Sequence, residues 1–448
     1  MELVGPHNVS LLTDFYELTM SASYFEHGME GQATFELFAR KLPERRNFLI
    51  ACGTEDAADF LENFSIGDEG IAYLRSLGVF REPFLEHLRQ LRFTGELWAM
   101  REGELFFPDE PVLRVTAPVI EGQLMETFLL TCVGFQSLVA SKAARLAIAC
   151  GDRAFVDFSP RRDHGPDAAL WAARASFIGG ARGTSNVLAG QLYGIPLSGT
   201  MAHSYVMSFD READAFRAFL KTFPKGTTLL IDTYDTVEGA RRAAAVVREL
   251  GDRVQIRAVR LDSGDLARLS KEVRQVLDAE GLQSVEIFAS GDLDEYRIAE
   301  LRANGAPVDA YGVGTQLGTG GDVAALGMVY KLVADEGGPK MKRSTGKATL
   351  PGPKQVYRFE QDGQVQYDLM AMADEPPPDG GRPVLELLMQ NGRRVREREP
   401  LSAAQERARA AVASLPEELR SLDTAARPYE VRRSAELQRL ATWETPHA

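Results

Sequence analysis

The sequence predicts an α/β fold whose main part is a parallel arrangement of alternating strands and helices. Six short apolar runs between residues 150 and 335 end in small or polar residues, and segments with helical periodicity separate most of them. The polar ends follow one another at gaps of 43, 32, 30, 29 and 23 residues. That spacing is about one strand plus one helix, which is typical of either a closed βα barrel or an open doubly wound sheet.

The predicted strands, in chain order, are RAFVDF (153–158), IPLSGT (195–200), TTLLIDT (227–233), VQIRAVRLD (254–262), VEIFASGD (285–292) and VDAYGVGT (308–315). The predicted helices are DAALWAARASFI, READAFRAFLKTF, TVEGARRAAAVVREL, DLARLSKEVRQVLDAEG and DLDEYRIAELRANG. Parallel strands are buried on both faces, so polar residues collect at their ends, and active sites form at the carboxyl ends in both architectures. We therefore expect a site among Asp157, Thr200, Asp232, Asp262, Gly291 and Gly314.

Composition excludes several classes of protein. A net charge of −13 disfavours a general binder of nucleic acid or of a membrane surface, because a polyanion would be repelled. The N-terminus lacks the pattern of a signal peptide, and we see no apolar run of about 18 residues, the length that a membrane span needs. Three cysteines without metal-binding spacing suit a reducing compartment. We expect a cytoplasmic protein.

Glycine-rich segments follow the last two predicted strands. FASGDLDEY and YGVGTQLGTGGD each place glycines just beyond a buried strand, where backbone N–H groups can approach a phosphate closely. The run from Pro339 to Arg358 contains Lys340, Lys342, Arg343, Lys347, Lys354 and Arg358 and no acid, and it is either a solvated charge run or a second contact for phosphates. Two glycine-rich ends on consecutive strands predict a phosphate site.

Charged and aromatic side chains follow the other strands. VRLDSGDL supplies Arg260, Asp262 and Asp265, which form either a surface salt bridge or a clamp for an anionic substrate and a ribose. DFSPRRDHGPD supplies Phe158 and the pair Arg161 and Arg162, which either pack and solvate or contact a ring and an anion.

The segment IPLSGTMAHSYV leaves His203 just after a strand end. Such a histidine is a solvated loop residue, a general base or a nucleophile that ATP phosphorylates. A Schiff-base aldolase would need a lysine at the carboxyl end of a strand, whereas Lys221 and Lys225 precede a strand and Lys331 lies within one. A nucleotide-sensing protein without turnover is the non-catalytic alternative.

The same segments resemble the nicotinate phosphoribosyltransferase family over nearly the whole chain. The matching motifs are LLTDFYELTM, FARKLPERRNFLIACG, RRDHGPDAAL, GTSNVLAG, GTMAHSYV, LIDTYDT, RLDSGDL, FASGDLDE, GVGTQL and KRSTGKATLPGPKQVYR. The resemblance implies an irregular parallel βα barrel of the type II phosphoribosyltransferase kind at 131–335, and an α/β sandwich formed by 1–130 and 336–448. It also implies a homodimer with active sites at the interface.

The implied reaction joins nicotinate to 5-phosphoribosyl 1-pyrophosphate, with Mg²⁺, and is coupled to ATP hydrolysis. By motif, His203 would be phosphorylated by ATP, and Asp262 would bind the ribose and the Mg²⁺-pyrophosphate. Nicotinate would contact Tyr16 (from the partner subunit), Phe158, Thr200 and Arg260. The phosphoribosyl group would contact Arg161, Gly291, Asp292, Gly314, Thr315 and Thr319.

Two positions bear on specificity in this resemblance. Ser185 stands where the related nicotinamide enzymes carry an aspartate, and a hydroxyl does not repel a carboxylate substrate. Asp157-Phe158-Ser159-Pro160 replaces the usual Glu-Phe-Gly, and we expect the proline to affect the placement of Phe158 or Arg161.

Overall fold

The chain folds as two compact units in the computed structural model, which describes residues 4–342, 344 and 348–442. The first unit combines Met1–Leu138 with Ala325–Ala448, and the second is Val139–Ala324. The sequence had suggested boundaries after residues 130 and 335. The arrangement is a mixed α/β fold.

The helices and strands alternate in the second unit and are mixed in the first. Residues 4–150 form α1 (Phe15–Glu26), β1 (Gln32–Ala39), β2 (Leu49–Ile50), α2 (Thr54–Glu62), α3 (Asp68–Ser76), α4 (Glu82–Gln90), β3 (Glu96–Met100), β4 (Leu105–Phe106), β5 (Pro111–Pro118), α5 (Val119–Leu124) and α6 (Glu126–Cys150). Residues 151–324 form β6 (Ala154–Asp157), α7 (Pro166–Ile178), α8 (Val187–Tyr193), α9 (His203–Met207), α10 (Glu212–Thr222), β7 (Lys225–Leu230), α11 (Thr236–Leu250), β8 (Gln255–Leu261), α12 (Leu266–Ala279), β9 (Glu286–Ala289), α13 (Glu295–Ala303), β10 (Ala310–Val313) and α14 (Thr315–Gly318). Residues 325–442 form β11 (Met328–Asp335), β12 (Gly338–Pro339), β13 (Lys354–Gln361), β14 (Gln364–Met372), β15 (Arg382–Pro383), β16 (Leu385–Gln390), β17 (Arg393–Arg394), α15 (Leu401–Ser414), β18 (Val431–Arg433) and α16 (Ala435–Thr442).

Both ends of the chain contribute strands to one sheet of the first unit, in the order β12-β11-β1-β5-β3-β16-β17. Strand β1 lies between β5 and β11, antiparallel to both. A second sheet contains the hairpin β13–β14, whose turn is Asp362-Gly363. Both turn residues have positive φ (50° and 76°), as a two-residue hairpin turn requires. The dipeptide Asp-Gly between two strand-like runs is itself a sequence signal for such a hairpin.

The second unit contains a curled, parallel half-barrel sheet in the order β6-β10-β9-β8-β7. Isolated parallel bridges continue it beyond β6, first from Asp157 to Thr184 and then from Thr184 to Leu197. The prediction of a strand at 195–200 was therefore wrong in detail. That segment contributes a single bridge, because Pro196 has no N–H to donate and Gly199 lacks a side chain to pack.

Helix N-termini in this unit are capped by carboxylates that the chain places just after its strands. Asp235, Asp265 and Asp294 each accept a hydrogen bond from the backbone N–H three residues later. Gly239 lets α11 approach the sheet, since a Cβ there would lie 1.9 Å from the Ile231 carbonyl oxygen. Capping thus accounts for Asp265, which the sequence had grouped with Asp262.

Helix α6 is the one described helix that is long and apolar enough to cross a membrane by length and composition. Its most apolar window has a mean hydropathy of 1.2, and 72% of that window is buried inside the protein. This segment was not identified from the sequence as a candidate membrane span. A mostly buried helix of this kind is typical of a protein core, so the feature is weak evidence for a membrane span.

Candidate active site

Arg260, at the end of β8, lies at the centre of a polar cluster at the carboxyl ends of the strands. Its Nε donates to Ser290 Oγ (2.8 Å), its Nη1 to Thr200 Oγ1 (2.8 Å) and its Nη2 to Asp262 Oδ1 (2.5 Å). Thr200 in turn donates its hydroxyl to the Met201 carbonyl, 3.1 Å away. Three strand ends that are distant in the sequence therefore fix one guanidinium.

Asp262 is held as a carboxylate by this cluster. Burial alone would raise its pKa, but the hydrogen bond from Ser290 (2.5 Å) and the charge of Arg260 outweigh burial and lower the pKa below its ordinary value. Its Oδ1 accepts from both Ser290 and Arg260, and its Oδ2 faces the imidazole of His203. An ionised carboxylate is thus available beside the histidine near neutral pH.

His203 is the first residue of α9 and is about two-fifths exposed. Its Nδ1 is 3.1 Å from Thr233 Oγ1, and its Nε2 lies 3.7 Å from Asp262 Oδ2 and 3.9 Å from Asp232 Oδ1. Thr233 follows β7, so the loop beyond Leu197 returns to the opposite edge of the curled sheet. His203 and Arg260, which the sequence placed at separate strand ends, therefore lie on either side of Asp262.

Asp232 is a residue of this site that the sequence analysis noted only as a strand end. Its Oδ2 accepts from the Asp262 backbone N–H (2.9 Å) and from Ser263 Oγ (2.7 Å). Its Oδ1 is buried without a hydrogen-bond partner and faces His203. The adjacent Asp232 and Thr233 in LIDTYDT were the available signal, because they bring a carboxylate to one ring nitrogen of His203 and a hydroxyl to the other.

An aromatic wall lies beside Arg260. The Phe158 ring centroid is 5.6 Å from that of Phe288, and Arg260 Cζ is 5.5 Å from the centroid of Phe158. Gly312 on β10 allows this arrangement, since a Cβ there would lie 2.7 Å from the Phe158 ring and 2.9 Å from that of Phe288. A flat, anionic ligand would find a ring face and a guanidinium together here.

The glycine-rich turn after β9 lies against Asp262. Gly291 has φ +96°, and a Cβ there would lie 2.0 Å from the Asp262 carbonyl oxygen, so glycine is required. Asp292 follows with φ +49° and is exposed.

The turn after β10 passes close to Phe158. A Cβ on Gly314 would lie 3.3 Å from the Phe158 carbonyl oxygen. Thr315 is exposed, and Thr319 donates its hydroxyl to the Thr315 carbonyl oxygen at 2.7 Å. The two turns thus flank the cluster of Arg260, Asp262 and Phe158.

Comparison with known proteins agrees with this geometry. Residues 11–134 match the model of the nicotinate phosphoribosyltransferase N-terminal domain, and residues 153–339 match that of the nicotinate phosphoribosyltransferase family. The chain belongs to the nicotinate phosphoribosyltransferase family. It is 48% identical to a nicotinate phosphoribosyltransferase of Mycobacterium tuberculosis over 99% of this chain and 96% of that protein.

Two further members of the nicotinate phosphoribosyltransferase family are similar over most of their length. The Bacillus subtilis nicotinate phosphoribosyltransferase is 45% identical over 84% of this chain and 78% of that protein. The crystal structure of human nicotinic acid phosphoribosyltransferase superposes with a TM-score of 0.85 at 32% identity, covering 96% of this chain and 99% of that one. The resemblance inferred from the motifs is confirmed.

The turn Asp157-Phe158-Ser159-Pro160 is fixed by the side chain of Asp157. Asp157 is fully buried, and its carboxylate accepts from the Ser159 backbone N–H (2.9 Å) and from Thr184 Oγ1 (2.7 Å). Burial raises its pKa more than these two hydrogen bonds lower it. Asp157 therefore secures the turn that carries Phe158, and the N–H of Ser185 bonds to its carbonyl oxygen (2.9 Å).

Three other predicted site residues are exposed side chains. Arg161 and Arg162 are both exposed, and the geometry does not distinguish one of them as a ligand. Tyr16 belongs to α1 of the first unit and is about half exposed.

The basic run at 339–358 divides into buried and exposed parts. Lys354 Nζ lies 2.7 Å from Glu36 Oε2, and Arg358 Nη2 lies 2.6 Å from Asp368 Oδ2, with both cations buried. The suggestion that Lys354 and Arg358 contact phosphates was wrong, because carboxylates inside the first unit already neutralise their charges. Lys340 pairs with Asp335, whereas Arg343 and Lys347 lie outside the described residues.

Proposed function

We propose that this chain is a nicotinate phosphoribosyltransferase that makes nicotinate mononucleotide and pyrophosphate from nicotinate and 5-phosphoribosyl 1-pyrophosphate, for NAD biosynthesis. The pyridine nitrogen supplies the electron pair of the new N–C1 bond while the bond from C1 to pyrophosphate breaks. Because C1 acquires positive charge as pyrophosphate leaves, the reaction needs orientation and fixed charge more than a protein nucleophile.

The hydrogen bonding of Arg260 is the observation that carries this proposal. A guanidinium has five N–H donors, and three of them bond to Ser290, Thr200 and Asp262. One N–H remains on each terminal nitrogen, which is the pair that a carboxylate accepts in bidentate geometry. In this proposal Arg260 holds the nicotinate carboxylate, Thr200 orients Arg260, and Phe158 stacks on the pyridine ring.

Acid is preferred to amide in this proposal for an electrostatic reason. Ser185 brings a neutral hydroxyl rather than a carboxylate, so the negative charge of nicotinate is not opposed there. Tyr16 of a partner subunit would cover the second face of the ring in a homodimer. Its exposure supports a role in binding rather than in packing.

The sugar phosphate would occupy the two glycine-rich turns. Asp292 would contact the ribose side, whereas Gly291, Gly314, Thr315 and Thr319, with Arg161, would surround the 5-phosphate. Among the described residues no three metal-ligating side chains form a group. That is compatible with Mg²⁺ at a phosphate site, where one carboxylate such as Asp262 Oδ2 acts together with substrate oxygens. The ion would neutralise charge on the pyrophosphate.

His203 would couple the reaction to ATP. Two carboxylates near Nε2 favour a proton on that nitrogen, so Nδ1, now facing the Thr233 hydroxyl, would be the nucleophile. Its lone pair would form the bond to the γ-phosphorus of ATP while the bond to the bridging oxygen breaks and ADP leaves. Hydrolysis of the phosphohistidine would then favour product.

The architecture of the family completes the proposal. The two units would correspond to the irregular barrel and the α/β sandwich of the family. Three free, buried cysteines and the negative net charge support a cytoplasmic location.

A product assay tests the proposal with and without ATP. We expect nicotinate mononucleotide from the wild type with ATP stimulation, and product without ATP stimulation from His203→Ala. His27→Ala, an exposed histidine of the first unit, is the matched control and should behave like the wild type. Failure of the wild type to form product would refute the reaction, whereas equal ATP stimulation of His203→Ala would refute only the phosphohistidine.

A further inference from the structure

The loop that follows β10, Gly314–Asp322, packs against a buried cluster of charged side chains. Gly320 and Gly321 both have positive φ (75° and 61°), which glycine adopts without strain. A Cβ on Gly321 would lie 2.9 Å from the Gln316 carbonyl oxygen and 3.1 Å from Lys142 Nζ. The loop therefore turns tightly, directly against the amine of Lys142.

Lys142, on α6, is almost completely buried at 1% exposure and contacts two carboxylates. Its Nζ lies 2.6 Å from Glu295 Oε2 and 3.0 Å from Asp322 Oδ1. Glu295 is also 2.9 Å from Arg145 Nε, and its pKa is lowered because these two cations outweigh the effect of burial. Two cations and two carboxylates thus balance one another inside the second unit.

Asp322 is the member of this cluster that belongs to the loop, and it is 40% exposed, whereas the other three are 2% exposed or less. Loss of its charge would remove the ion pair that tethers the loop to α6. The tethered segment contains Thr315 and Thr319, the hydroxyls that the proposed function assigns to the 5-phosphate.

We propose that Asp322 and Lys142 are positioning residues that hold the loop Gly314–Asp322 in its phosphate-binding conformation. Neither residue contacts substrate in this proposal, which rests on the proposed function for the identity of the phosphate. Buried ion pairs are well suited to this task, because their partners have few alternative arrangements that satisfy both charges. The predicted consequence is a selective loss of affinity for the sugar phosphate.

The test compares Asp322→Asn with the wild type in steady-state kinetics and in binding of ribose 5-phosphate by calorimetry. We expect the KM for phosphoribosyl pyrophosphate and the Kd for ribose 5-phosphate each to rise about tenfold, with the KM for nicotinate within about twofold. Asp278→Asn is the matched control, because Asp278 is similarly exposed and pairs with Arg274 away from the loop. Thermal unfolding of both variants measures any general loss of stability.

The outcomes separate the two proposals. An unchanged KM and Kd in Asp322→Asn would overturn the positioning role while leaving the proposed function intact. An equal rise in both KM values would overturn it as well, since the loop would then have no selective effect. If wild-type protein forms no nicotinate mononucleotide but ribose 5-phosphate binding weakens in the variant, the proposed reaction fails and the positioning role stands. If the wild type does not bind ribose 5-phosphate, both fail.

Discussion

Two buried arginines, one in each unit, are surrounded very differently. Arg358 in the first unit is 1% exposed and bonds to both oxygens of Asp368, to Glu104 and to the Leu105 carbonyl. Arg260 in the second unit is 11% exposed and bonds to one carboxylate and two hydroxyls. Arg358 therefore has its charge neutralised by protein groups, whereas Arg260 keeps N–H donors for another anion.

The difference shows what distinguishes a structural charge from a functional one. Arg358 is almost completely buried in the first unit, and four of its five N–H donors bond to protein oxygens. Arg260 ends a strand, beside the ionised Asp262 and the exposed face of His203. Burial alone does not separate the two, but the number of protein carboxylates at each guanidinium does.

Arg358→Met should cause the largest loss of unfolding free energy among the variants compared. It leaves the buried Asp368 without its cation inside the first unit, and such a change costs about 3–5 kcal/mol of unfolding free energy. Denaturant unfolding followed by circular dichroism measures it. Arg439→Met, which removes an exposed pair with Glu436, should leave the unfolding free energy nearly unchanged. Similar losses of unfolding free energy in the two variants would show that the buried Arg358 stabilises the protein no more than an exposed arginine does.

Arg260→Lys should reverse that pattern. Lysine keeps the charge but not the planar fork, so we expect kcat/KM for nicotinate to fall about 100-fold, comparable to the loss of one transition-state donor. Unfolding free energy should change far less than in Arg358→Met, because lysine keeps the positive charge beside Asp262. Arg257→Lys, on the same strand and exposed, is the kinetic control. A stability loss as large as that of Arg358→Met would make Arg260 a structural residue too.

The spacing of the strands along the chain predicted that side chains following different strands would meet near Arg260, because the carboxyl ends of parallel strands lie at one edge of the sheet. Gaps of about 30 residues were enough to bring Asp262, Gly291 and His203 toward one edge of a parallel sheet. The same spacing could not separate Asp262 from Asp265, since both follow the strand and only the register of α12 makes Asp265 a cap. Nor could it reveal that Lys354 would meet Glu36, 318 residues away.

Glu17 extends the comparison from cations to carboxyl groups. It is fully buried in the first unit, and burial, with Glu126 nearby, raises its pKa from the ordinary 4.5 to about 7, although Gln123 donates to it. Between these values the folded protein retains a proton that the unfolded chain releases, so stability should fall as pH rises from 4.5 to 7. We expect a fall of about 1–2 kcal/mol over this pH range.

Glu17→Gln should remove this slope while leaving the midpoint at pH 4.5 close to that of the wild type. Denaturant unfolding at four pH values between 4.5 and 7.5 measures it, with Glu26→Gln, an exposed residue of the same helix, as control. An unchanged slope in Glu17→Gln would show that Glu17 is already ionised, like Asp262. The two carboxyl groups would then no longer differ.

Asp265→Ala has the smallest expected effect and separates two carboxylates three residues apart. Asp265 accepts from the Arg268 N–H at the start of α12, so its loss should cost about 1 kcal/mol of stability and leave kcat/KM unchanged. Asp262→Asn should do the opposite, because Asp262 bonds to Arg260 and faces His203 while capping nothing. Thermal unfolding and turnover, measured on both variants, decide between them. If Asp265→Ala lost turnover as Asp262→Asn does, the capping carboxylate would belong to the active site. A charged side chain whose hydrogen bonds go to nearby protein groups could then no longer be assumed to be structural.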